Sequence, residues 1–147
     1  MTASAILQAY LDAMRHAVLA ERLDDYVARI RLPFSILTSS ASLTVSTQAD
    51  LEDGFDDFVE MIRSRGITDM QRTVQAAAYL GNDVIVGVYE TRLLAGEKLA
   101  LPVFHSKMWI VCDDGVWKAT KIHNTTNEAR WPMLLTRLPE HWLPEEH

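Results

Sequence analysis

A single cysteine, Cys112, stands in a chain of 147 residues, so no internal disulfide can form and a secreted, stapled scaffold is excluded. Basic residues are also few. Fourteen Lys and Arg against twenty Asp and Glu leave a formal charge of −6, the wrong sign for a surface that follows phosphates, so no nucleic acid is expected as a partner. No stretch approaches the roughly 18 consecutive apolar residues that a spanning helix needs, so no membrane is expected either. The start, Met1-Thr2-Ala3-Ser4-Ala5-Ile6, lacks a basic leader, and Asp12, Arg15 and His16 break the apolar run that follows. A secretory signal is therefore not expected, and a cytoplasmic location is. Metal-ligand spacing is missing, because Cys112 is alone and His16, His105, His123, His141 and His147 are dispersed. Neither a dinucleotide glycine motif, a P-loop nor a nucleophile elbow occurs, so neither a metal nor an organic cofactor is expected.

What is there is an ordinary globular composition, 48% apolar and 23% charged. The length suits one domain over residues 1–147, with a core at 5–125 and a C-terminal extension at 126–147. Three helices come first. Ile6, Leu7, Tyr10, Leu11, Met14, Val18 and Leu19 recur at steps of three and four. Leu23, Tyr26, Val27 and Ile30 repeat the pattern until Pro33, which disfavours helix in the residue before it. Thr47 reads as an N-cap for a third helix with Leu51, Phe55, Phe58 and Ile62 inward and Gly66 as its stop. On that helix Asp53, Asp56, Asp57 and Glu60 form a solvated face rather than a magnesium site. Phe34–Ser39 and Leu43–Ser46 read as two short strands.

From Thr68 to Thr125 the period changes to two, punctuated by Gly81–Asn82, Gly96–Glu97 and Asp114–Gly115. Treating each pair as a two-residue turn places one set of side chains on a common inner face. That set is Met70, Arg72, Val74, Ala76 and Ala78; Ile85, Gly87, Tyr89 and Thr91; Phe104, Ser106, Met108, Ile110 and Cys112; then Trp117, Ala119, Lys121 and His123. In this register Ala76, Gly87 and Ser106 lie side by side, where either a helix comes close or a cavity opens. The outer face gathers Val84, Val86, Val88, Trp109, Val111 and Ile122, an apolar patch expected to form a homodimer interface.

The helix–hairpin–helix–meander order, with Gly115-Val-Trp117-Lys-Ala119-Thr-Lys121-Ile-His123-Asn-Thr125 as its last strand, resembles the nuclear transport factor 2-like superfamily, which includes SnoaL-like cyclases and ketosteroid isomerases. The resemblance spans about residues 5–125. It implies an α+β cone in which three N-terminal helices pack inside a strongly curved antiparallel sheet around an internal pocket, commonly in a homodimer. Isomerase and cyclase members use inward carboxylates as bases, and epoxide-hydrolase members use an Asp–Arg–Asp set. This chain departs from both patterns: its inner sheet face offers only Asp83, at a turn, and residues 33–46 contain no acid. Alignment through Ala20–Glu21–Arg22–Leu23–Asp24 places Met14 where the isomerases have a tyrosine.

The expected ligand is small and partly apolar, with provision for an anionic group. Its expected surroundings are Tyr10, Met14, Tyr89, Phe104, Ser106, Trp117, Lys121 and His123. His123, the inward group that titrates near neutral pH, is the base if the protein is an enzyme of the isomerase, cyclase or hydrolase type. The alternative for His123 is a structural role, capped by Ser106 or a carbonyl. An inward Lys121 must find a carboxylate, bind an anion, or reveal that a bulge has reset the strand. Arg72, nearer the sheet edge beside Thr91, reads as a rim residue. A non-catalytic dimerisation or interaction module, its interior filled by its own side chains, is the competing class.

Overall fold

The structure, a computed structural model, describes residues 1–38 and 42–124. Helix α1 (Ala3–Leu19) starts at Thr2, whose Oγ1 accepts the Ala5 N–H at 3.1 Å and so satisfies one of the free donors of the first turn. Leu7, Tyr10, Leu11, Met14 and Val18 form its buried stripe. Helix α3 (Gln48–Ser64) is capped the same way, Thr47 accepting from the Asp50 N–H at 3.1 Å. Its Leu51, Phe55, Phe58 and Ile62 are buried while Asp53, Asp56 and Glu60 are exposed. Gly66 follows at φ 65°, the left-handed position that ends a helix most cheaply with glycine.

Helix α2 is shorter than its apolar spacing predicts, running only from Leu23 to Val27. Ile30 belongs instead to strand β1 (Ile30–Leu37), where it pairs in parallel with Ala119, whose N–H donates to the Arg29 carbonyl at 2.9 Å. Pairing across the sheet outweighs a local helical preference that one turn cannot sustain. Strand β2 (Ser42–Val45) folds back on β1.

The meander consists of β3 (Asp69–Tyr79), β4 (Val84–Ala95), β5 (Lys98–Leu99), β6 (Phe104–Asp113) and β7 (Val116–Asn124). Together with the first hairpin it makes one curved seven-stranded sheet in the order β2-β1-β7-β6-β4-β3, with β5 paired to β4. Among the described residues β3 is therefore an edge. Gln8 of α1 serves that edge, accepting the Val74 N–H at 2.9 Å and donating to the Arg72 carbonyl at 2.7 Å. Helix α1 lies directly on the sheet at Gly87: a Cβ there would collide with Leu7 and stand 2.9 Å from the Ala76 carbonyl oxygen. Of the two readings of this small-residue patch, close approach of a helix is the one that holds.

Three departures from the two-residue-turn register follow from local geometry. Leu80 donates to the Val84 carbonyl, so three residues, Gly81 to Asp83, make the first turn. A one-residue bulge at Gln75 absorbs the offset, so Met70, Arg72 and Val74 point inward but Ala77 and Tyr79 oppose Gly87 and Ile85, in place of Ala76 and Ala78. Between β5 and β6, where Pro102 has no ladder N–H to give, the pairing slips by two residues. Parity survives, but Ser106 opposes Tyr89 and no longer lies beside Gly87.

The third departure is a bulge at Thr120 in β7. Cys112 pairs with Trp117 and Ile110 with Ala119, but beyond the bulge Trp109 pairs with Lys121, Met108 with Ile122 and Lys107 with His123. The inward set of β7 is accordingly Trp117, Ala119, Ile122 and Asn124. Lys121 and His123 face outward, and Ile122 leaves the outer patch for the interior. An ammonium inside the cone would need a partner, and the extra residue removes that need. Lys121 Nζ instead stands 4.6 Å from the centre of the Trp109 ring on the outer face, with Lys107 Nζ at 5.1 Å.

Candidate functional site

Between the helices and the concave face of the sheet lies a cavity of about 70 Å³. Its walls come from every layer: Tyr10, Met14 and Val18 of α1, Tyr26 of α2, Phe34 and Ile36 of β1, Phe58 of α3, and Ile122 of β7. The sheet adds Met70 and Arg72 of β3, Tyr89, Thr91 and Leu93 of β4, and Phe104 and Met108 of β6. At roughly 30 Å³ per water in the liquid, this volume suits a fragment of a few heavy atoms, and the lining is largely hydrocarbon.

Five polar side chains interrupt it. The Tyr10 hydroxyl donates to the Arg29 carbonyl at 2.7 Å. Burial, with Tyr26 and Tyr89 nearby, holds the Tyr10 phenol far above the ordinary tyrosine range. Burial pushes the Tyr26 phenol up to about 12, and raises Tyr89 too, with the Arg72 guanidinium offsetting part of each shift. All three phenols are neutral at physiological pH. Among the described residues, the buried Oγ1 of Thr91, a residue only 1% exposed, and the buried Nε of Arg72 have no hydrogen-bond partner. The Arg72 guanidinium carbon lies 6.0 Å from the Tyr89 ring centre. Among the described residues, no carboxylate and no imidazole lines the cavity.

Of the eight residues expected to surround a ligand, Tyr10, Met14, Tyr89 and Phe104 line this cavity together. Ser106 is fully buried on the inner face without lining it, opposite Tyr89 and Asn124. Trp117 lines a separate, open groove of about 470 Å³ with Ile6, Arg29 and Val116, which reaches Tyr10 from the other side of α1. Lys121 and His123 are on the outer face, so the general base expected at His123 has no access to the interior. Arg72, Thr91 and Tyr26 carry the polarity instead. A strand arginine facing inward beside an inward threonine, on a face whose one acid is Asp83 at a turn, is the sequence signal that marks Arg72 and Thr91.

The overall architecture is shared with solved structures. No protein-family model and no curated protein matches the sequence. A nuclear transport factor 2-like protein of unknown function from Shewanella oneidensis superposes with a TM-score of 0.60 at 14% identity, over 82% of this chain and 96% of that one. A protein of unknown function from Mycobacterium tuberculosis gives 0.63 at 11% identity, over 94% and 89%. A domain of unknown function with a cystatin-like fold from Nostoc punctiforme gives 0.61 at 10% identity, over 92% and 85%. At these identities what is shared is architecture, and the chain has the nuclear transport factor 2-like fold.

Proposed function

We propose that the cone interior is a binding site for a small, mostly apolar molecule, held rather than turned over. The cavity carries this reading, because pockets for small ligands are apolar with a few placed polar groups and this one has that composition. Binding is favoured over proton-transfer catalysis because, among the described residues, the ionisable groups lining the cavity are one arginine and three phenols held neutral, none of which accepts a proton at neutral pH. The test is thermal denaturation with 1-butanol, comparing wild type with Ala119→Leu, which fills the cavity from β7. Butanol raises the wild-type midpoint as the logarithm of one plus its concentration over Kd and leaves the filled variant unmoved. Equal response, or none in either protein, ends the reading.

A homodimer through the outer sheet face accompanies it. Val84, Val86, Val88, Trp109 and Val111 share that face, while Ile122 does not. Sedimentation of Val86→Asp against wild type tests this, a monomer being the expected result for the variant.

A further inference from the structure

We infer that the cavity recognises a carboxylate, with Arg72 and Thr91 as its receptor. The inference rests on the binding reading above and names the chemistry of the occupant.

Arg72 and Thr91 are cross-strand partners on β3 and β4, and both face inward. Side chains so paired stand close enough to hold one group between them. Each brings a buried polar atom that has no partner among the described residues: Nε of Arg72 and Oγ1 of Thr91, on a residue 1% exposed. A buried donor without an acceptor costs stability, and such atoms are rare enough to need a reason. The face of Tyr89 gives the cation only a distant, partial partner at 6.0 Å.

The neighbourhood does not lack acids; it sends them elsewhere. Asp69, three residues along the same strand, is held by Arg15 through Nε at 2.9 Å and Nη2 at 2.6 Å, both on Oδ1. Arg92, on the opposite face of β4, pairs with Glu90. With no carboxylate lining the cavity among the described residues, the half-buried Arg72 guanidinium turns a buried Nε toward the cavity wall without an acidic partner there.

The chemistry of the complement follows. A planar guanidinium matches the two oxygens of a carboxylate, and the Thr91 hydroxyl can donate to one of them. One cation in hydrocarbon surroundings suits a monoanion. A phosphate dianion would bring a second charge into the wall unpaired. Met14, Phe58, Leu93 and Phe104 then enclose an apolar body of few atoms.

Calorimetric titration with butyrate, butyramide and 1-butanol separates the possibilities. The expected result is wild-type affinity for butyrate about tenfold or more above that for isosteric butyramide, as a charged hydrogen bond allows. Arg72→Met abolishes that advantage and keeps the butanol response. Thr91→Val lowers butyrate affinity roughly three- to tenfold, and because it deletes an unpartnered hydroxyl it does not lower the stability of the unliganded protein. The Arg72 Nε–H resonance moves with butyrate and not with butyramide. Equal affinity for all three compounds, or butyrate binding by Arg72→Met at wild-type strength, overturns the carboxylate inference while the cavity reading stands. Failure of butanol and butyrate alike overturns both.

Discussion

The strands at the middle of the meander and the strands flanking them obey different rules. In β4 and β6 side chains alternate inward and outward without interruption, and the alternation alone identifies Ile85, Tyr89, Thr91, Phe104, Met108 and Ile110 as interior. The flanking strands β3 and β7 each contain one extra residue. They are mirror cases. In β3 the turn is longer than two residues and the bulge at Gln75 restores the expected facing beyond it. In β7 the turn is the expected two-residue pair, with Asp114 at φ 55° and Gly115 at φ 83°, and the bulge at Thr120 reverses the facing beyond it. A strand with a neighbour bound along its whole length on each side has no room to insert a residue. A strand at an edge, or one joined to an irregular parallel partner as β7 is to β1, has that room.

The sharpest way to break this comparison is to exchange chemistry across the Thr120 bulge. Ile122→Lys should cost about 3 kcal/mol in urea denaturation, the low end for an unpaired charge left in an interior wall. Lys121→Ile should stay within about 0.5 kcal/mol, as outward substitutions do. Equal costs would mean that β7 runs straight. Next in size, Gly87→Ala on regular β4 should lose about 1–3 kcal/mol through overpacking against Leu7 and the Ala76 carbonyl. Gly54→Ala in α3, with nothing near the added methyl, should gain about 0.5–1 kcal/mol.

Titration probes the two kinds of strand more gently. Tyr89 on β4, with Tyr10 and Tyr26, has a phenol raised chiefly by burial, so the folded state holds its protons more tightly than the unfolded chain. Stability should be complete below the ordinary tyrosine range near pH 10 and fall as pH rises through it toward 12. Tyr26→Phe should make that fall shallower in alkaline melts. Asp69 on β3 goes the other way: burial opposes its charge, but hydrogen bonds from Arg15, the Met70 N–H and Gln71 outweigh it and hold the carboxyl below its usual value. Its contribution is present above the usual carboxylate range near pH 4 and is lost as pH falls below it. Because the pair is partly exposed, Asp69→Asn should flatten the acid limb by less than about 1 kcal/mol.

The same division explains what could be read from the amino acids alone. The helix stripes of α1 and α3 and the inner face of β4 and β6 repeat over enough residues to be unmistakable, and Tyr10, Met14, Tyr89 and Phe104 duly meet in one cavity. Nothing about Gln75 or Thr120 as residue types announces a bulge, so Lys121 and His123 were legible as a pair on one face but not as to which face. Arg72 was legible as inward. Its lack of a carboxylate is a fact about distant neighbours, Arg15 above all, which no local pattern contains. Ile30 continued the helical spacing of α2, and only its pairing with Ala119 decides against helix.

Arg72 rides on the margin of the sheet, where Gln8 replaces a missing strand for its carbonyl and for the Val74 amide two residues on. That wall has a strand on one flank and the side chains of α1 on the other, whereas β4 and β6 have strands on both. Deuterium should enter the amides of β3 ahead of those of its neighbours. The guanidinium thus belongs to a strand tethered to α1, so that wall and the helix should loosen together, and Gln8→Ala should speed exchange at the Val74 amide.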